Sequence, residues 1–177
     1  MKTAYIIGGT MGVGKTTACQ RLKEMLPNSV FLDGDWCWDM HPFLVTNETK
    51  AMVMDNICSL LGRFVRCSAL DNVIFCWVLH EQAILDEILA RVDWNGFEVK
   101  VVSLVCSPKA LYERLTKDIE SGLRSADMLE KSAARLPLYD LLDTIRLDTS
   151  SLTAEQTAER LAKYGSSSTM HVFRVDD

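Results

Sequence analysis

The chain has 177 residues and a mass of 19.9 kDa, enough for one domain with a substantial buried core. Its 48% hydrophobic and 24% charged residues are those of an ordinary globular protein and exclude a disordered or fibrous chain. A net charge of -5 excludes a broad nucleic-acid surface, which needs a concentrated Lys/Arg face, but leaves room for a local positive pocket around a small anion. The six cysteines, Cys19, Cys37, Cys58, Cys67, Cys76 and Cys106, include no C-x-x-C pair and no zinc-like spacing with histidine. They read as free thiols of a reducing compartment, and the short apolar run Ala4–Ile7 is too short for a signal peptide or a membrane span. The expectation is a cytoplasmic monomer or homodimer that contacts neither nucleic acid nor membrane.

In chain order, short apolar runs alternate with amphipathic stretches, as in a parallel sheet covered by helices on both faces. Thr3–Ile7 predicts the first strand. A Gly-rich turn follows, then a helix from Lys15 to Leu26, stopped by Pro27 and Asn28. Ser29–Leu32 predicts a second strand that ends in Asp33-Gly34-Asp35. From Asn47 to about Leu70, Val53, Ile57, Leu60, Leu61 and Phe64 recur at helical spacing and predict a long helix. Asn72–Leu79 is continuously apolar and predicts a buried third strand. Glu81–Val92 predicts a helix, and Asn95-Gly96 turns the chain into a fourth strand, Val99–Cys106. Ser107 and Pro108 supply a cap and a first-turn residue for the next helix. The polar stretch Ser121–Asp127 predicts a mobile connection to a helix near Met128–Leu136. Thr144–Leu147 predicts a fifth strand, and Thr153 with Gln156 is a capping box for a last helix reaching about Tyr164, before Gly165. The expected organisation is a single domain over 1–165, with a lid segment near 114–136 and a tail over 166–177.

Gly9-Thr10-Met11-Gly12-Val13-Gly14-Lys15-Thr16 matches G-x-x-x-x-G-K-[ST] in full, between a predicted strand and a predicted helix. The glycines let the backbone curl so that successive N–H groups face phosphate oxygens, and the helix starting at Lys15 points its positive dipole end at the same anion. The motif therefore predicts ATP held by Gly9, Gly12, Val13, Gly14, Lys15, Thr16 and Thr17, with Lys15 on the β- and γ-phosphates and Thr16 on magnesium.

Phe31-Leu32-Asp33-Gly34-Asp35 then places two carboxylates at the C-terminal edge of the sheet, where ligands of open α/β folds bind. A phosphate loop followed after a short helix by F-L-D-G-D resembles the small-molecule kinase branch of P-loop proteins, which includes gluconate kinase, shikimate kinase, adenylylsulfate kinase and chloramphenicol phosphotransferase. The likeness is close over roughly the first forty residues and is one of pattern beyond them. It implies a three-layer α/β/α sandwich with a five-stranded parallel sheet of order 2-3-1-4-5, the P-loop NTPase fold. It also implies transfer of the ATP γ-phosphoryl group to a hydroxyl of a small molecule.

Carried over residue by residue, the resemblance assigns Asp33 to magnesium and Asp35 to the acceptor hydroxyl, as base or orienting group. Glu81 is a rival for the metal, since Val73–Leu79 offers no carboxylate. Arg114 and Arg124, with Arg135 as a further candidate, lie where such kinases close over ATP. An arginine there stacks on adenine or neutralises charge on the transferring group. Asp148–Thr153 falls where these kinases pass backbone near the adenine. Trp36, Trp38 and His41 are candidates for the acceptor pocket, as are Arg63 and Arg66 for an acceptor anion, with core packing and a solvated helix face as the alternatives. Two other functions fit the same motifs: a nucleotide kinase whose acceptor sits against 36–66, and a nucleotide-dependent switch without an acceptor.

Overall fold

The computed structural model describes residues 1–166; the expected tail over 166–177 lies, apart from Ser166, outside the described residues. The strands are β1 (Lys2–Gly8), β2 (Ser29–Asp33), β3 (Asn72–Cys76), β4 (Phe97–Val105) and β5 (Ile145–Asp148). All pair in parallel, in the order β2-β3-β1-β4-β5. The helices are α1 (Lys15–Met25), α2 (Asn47–Arg66), α3 (Gln82–Arg91), α4 (Pro108–Glu120), α5 (Asp127–Arg135) and α6 (Ala154–Ser166).

The three layers follow from the two-residue period of a strand. Along β1, Ala4 and Ile6 face a core completed by α2 and α3, through Val53, Ile57, Leu61, Leu85 and Ile88. Tyr5 and Ile7 face the opposite core, completed by α1, α4 and α6 through Leu22, Leu111, Leu115 and Leu161. Every strand residue of β3 is buried, which is why that run carries no polar alternation. The sheet order and the layering are those implied by the resemblance. No helix among the described residues is long and apolar enough to cross a membrane.

Local signals act as the sequence indicated at several ends. Ser107 Oγ accepts from Ala110 N at 3.2 Å, with Pro108 in the first turn of α4. Thr153 Oγ1 accepts from Gln156 N while Gln156 Oε1 accepts from Thr153 N, the reciprocal cap of α6.

Two expectations need correction. The long helix stops at Arg66, short of Leu70, because the backbone of 67–72 is used elsewhere: Leu70 N donates to Cys67 O, and Asp71 N and Asn72 N both donate to Asn28 O, which brings β3 alongside β2. The third strand stops at Cys76, short of Leu79. Its neighbour β1 bends away into the Gly-rich loop at Gly9, so after Trp77 N donates to Ile7 O the next bond between the two segments falls out of the ladder's register. Leu79 turns through a left-handed φ of 42°, and Val78 O accepts instead from Gly9 N and the Tyr139 hydroxyl. Two short 3-10 segments, Gly34–Trp38 and Leu136–Leu141, lie in stretches where periodicity carries no signal.

Candidate active site

The loop between β1 and α1 wraps the C-terminal end of the central strand. Gly12 has a φ of +82°, and a Cβ there would stand 2.5 Å from Leu115 Cδ2, so only glycine lets the loop lie this close against α4. Thr10 is fully buried and its Oγ1 donates to Ser132 O of α5 at 2.9 Å, tying the loop to the far side of the site. Lys15 Nζ donates to Thr10 O at 3.0 Å. Burial pushes the Lys15 ammonium below its ordinary value, against the pull of Cys76, Asp35, Asp33 and Cys19. A cation held in this low-dielectric setting gains most from an incoming anion. Gly14, Thr16 and Thr17 are exposed, so the mouth of the loop is open.

Asp33 ends β2 at 5% exposure, and both of its carboxylate oxygens are engaged. Oδ2 accepts from Thr16 Oγ1 at 2.7 Å and Oδ1 accepts from Asp35 N at 3.1 Å. The second bond caps the 3-10 segment and aims Asp35 across the strand ends. Asp35 Oδ1 accepts from Trp77 Nε1 at 3.1 Å. Burial, then repulsion from Asp33, pushes the Asp35 carboxyl above its usual value; Lys15, the indole N–H and Arg124 oppose the shift. Gly34 admits Trp77, since a Cβ there would meet the ring at 2.5 Å. Thus Lys15, Thr16, Asp33 and Asp35, read from two separate motifs, converge on one edge of the sheet.

The other candidates divide. Arg124 follows α4, and its Nε donates to Asp118 Oδ2 at 3.0 Å while its charge reaches Asp35. Arg114 is tied to backbone: Nη1 donates to Val13 O at 3.1 Å and to Thr149 Oγ1 at 3.2 Å, and Nη2 to Thr149 O. It thereby joins the phosphate loop to the segment after β5. Arg135 lies near His80, whose pKa burial and this arginine both lower. Glu81, the rival to Asp33, pairs with His80 Nε2 at 3.3 Å and is not bonded to Thr16. Arg63 and Arg66 fall in the last turn of α2, which leads into the start of β3, whereas Asp35 follows the C-terminal end of β2. A helix of that length spans roughly 30 Å, and both arginines are exposed at its far end, which fits the solvated helix face rather than an acceptor anion. Trp36 packs edge-on against Phe31, with ring centroids 5.2 Å apart, and Trp38 lies 6.3 Å from Trp77 and 5.3 Å from Phe43. His41 is exposed.

Sequence reasoning missed Thr10, Trp77 and Asp118, and it read Thr149 only as part of the segment Asp148–Thr153, without its bond to Arg114. Thr10 occupies a free position of the loop motif, and Trp77 looked like the interior of an apolar strand. Their partners Ser132 and Asp35 are distant in sequence, so no local pattern marks them.

A sequence profile of the AAA domain family matches residues 6–135. No curated protein matches the sequence. Among solved structures, the tunicamycin resistance protein of Deinococcus radiodurans superposes with a TM-score of 0.70 at 22% identity, covering 93% of this chain and 96% of that one. A gluconokinase from Sinorhizobium meliloti gives 0.63 at 16% identity, covering 93% and 94%. The shikimate kinase of Acinetobacter baumannii, solved with shikimate, gives 0.60 at 22% identity, covering 93% and 92%. At these identities the likeness is one of fold.

Proposed function

The chain belongs to the AAA domain family and has the fold of P-loop small-molecule kinases, and from that premise we propose that it transfers the γ-phosphoryl group of ATP to a hydroxyl of a small molecule. The observation that carries this reading is the bonded line Thr16–Asp33–Asp35 beside Lys15. It sets a phosphate-binding loop and a carboxylate suited to an alcohol on the same strand ends, which a switch without an acceptor does not need.

In this reading Lys15 exchanges Thr10 O for the β- and γ-phosphate oxygens. Thr16 and Asp33 offer the oxygen donors that suit magnesium, a hard cation that keeps most of its waters and takes few protein ligands. Among the described residues no group of three or more His, Cys, Asp or Glu forms a metal cage, and Thr16 and Asp33 are the residues that would hold the ion. Bound there, the ion supplies charge neutralisation across the phosphates. Asp35 orients the acceptor hydroxyl and receives its proton as the bond from that oxygen to the γ-phosphorus forms. The bond to the bridging oxygen breaks, and its electron pair leaves on ADP. Arg124 faces the developing charge, while Arg114 holds the adenine-side backbone against the loop. Residues 114–136 act as the lid, and 1–165 as one catalytic domain.

The experiment is ATP turnover with magnesium over hydroxy acids, sugars, nucleosides and nucleoside monophosphates, with mass spectrometry of the products. A phosphorylated alcohol supports the kinase. Tight nucleotide binding with no transfer to any hydroxyl makes the chain a switch.

A further inference from the structure

The acceptor side of the site has a surface of unusual character, and within the kinase reading it indicates what kind of alcohol is taken. From the Asp35 carboxylate a row of rings runs outward: Trp77, whose Nε1 donates to Asp35 Oδ1 at 3.1 Å, then Trp38 at 6.3 Å and Phe43 at a further 5.3 Å between centroids. The row begins half-buried and ends in solvent, with Phe43 63% exposed, followed by Leu44 at 50% and Val45 at 56%. Three consecutive large apolar side chains left in water are uncommon, and such patches mark binding surfaces. The Trp38 indole N–H is taken up by Leu44 O at 3.2 Å, so this segment is held in place and the tryptophan offers its ring rather than a polar tip.

Charge points the same way. Between Trp36 and Met52 the chain carries Asp39 and Glu48 against the single cation Lys50, and Arg63 and Arg66 sit at the far end of α2. Lys15 and Arg124 are the cations whose charge reaches Asp35; Lys15 belongs to the phosphate loop, Arg124 is paired with Asp118, and Arg135 lies near His80, past the end of β3. A carboxylate or monophosphate lying along the ring row would therefore meet a segment, 36–52, with more acid than base and no arginine to fork onto it.

We infer that the acceptor is an uncharged alcohol with a planar or apolar body, which lies along the Trp77–Trp38–Phe43 row with its hydroxyl at Asp35. This rests on the kinase reading and narrows it. Neighbouring rings of the row stand 6.3 and 5.3 Å apart and are tilted by 55° and 44°, so they pack on one another, and a body bearing one or two rings meets them along the side they leave in water.

The test compares 1-phenyl-1,2-ethanediol and uridine with gluconate, shikimate and uridine monophosphate as acceptors, with each product identified by mass. The uncharged pair should be turned over with the higher kcat/KM. Phe43→Ala, at an exposed position that the fold does not need, should raise the KM for that acceptor about threefold to tenfold, the loss of one ring contact, with the KM for ATP unchanged. Preference for a carboxylate or phosphate acceptor overturns the inference, as does an unchanged acceptor KM in Phe43→Ala. So does sedimentation showing a dimer that Phe43→Ser dissolves without touching the acceptor KM, since the row then covers a second copy. Absence of product from every compound, charged or not, removes the kinase reading itself.

Discussion

The two halves of the site are built by different means. On the phosphate side, one contiguous stretch, Gly9–Thr17, supplies almost every group, and the bonds among Thr10, Lys15 and Ser132 fix it against α5. On the acceptor side, the groups come from β2, the 3-10 segment after it and the end of β3, and they meet only through Asp33–Asp35 and Trp77–Asp35 bonds. The first half is a contiguous loop whose glycines and helix start suit an anion. The second exists only because two strands neighbour in the sheet, so under the proposed function it is the half expected to be retuned without disturbing nucleotide binding.

The sharpest break between the halves is at Lys15. Lys15→Ala should reduce turnover by about a thousandfold and weaken nucleotide binding, with circular dichroism unchanged, because the removed charge serves the transferring phosphates. Retained turnover would detach the loop from the chemistry. Asp35→Asn should cost about a hundredfold or more in kcat while titration with a fluorescent ATP analogue stays as in the parent chain. Loss of ATP binding in that variant would mean that the halves are not separable.

Gly34→Ala probes the joint between them. The added Cβ must displace the Trp77 ring 2.5 Å away, and urea unfolding should show a loss of about 1–3 kcal/mol together with reduced turnover. Full stability would mean the ring gives way freely. The smallest effect lies at His80, just past the end of β3. Its pKa is lowered by burial and by Arg135, so the unfolded chain binds the proton more readily than the folded one. Stability from this group is present at pH above the ordinary histidine value near 6.5 and is lost as pH falls through that value toward the folded one. In His80→Asn the pH dependence of unfolding should flatten in that window; an unaltered slope would assign it to other groups.

The phosphate half was legible in the sequence because its chemistry requires particular residues at fixed spacing: glycine where the loop presses on Leu115, and lysine and threonine at a helix start. The acceptor half was legible only as far as Asp33 and Asp35. Arg63 and Arg66 looked available because they are one turn apart on a helix, but periodicity says which face residues share and nothing about which end of the helix meets the site.

The sequence by itself determined the alternation of strands and helices, the Gly-rich loop between β1 and α1, the caps of α4 and α6 and the two carboxylates at the end of β2, since each depends on residues within a few positions of one another. Tertiary structure alone decided that Trp77 meets Asp35 across 42 positions, that Thr10 reaches Ser132 across 122, and that Arg114 bridges Val13 and Thr149. It also decided where β3 and α2 end. Those features arise when β3 inserts beside β1 and backbone groups at the strand ends find partners far along the chain, a matter of sheet order that no short window of sequence contains.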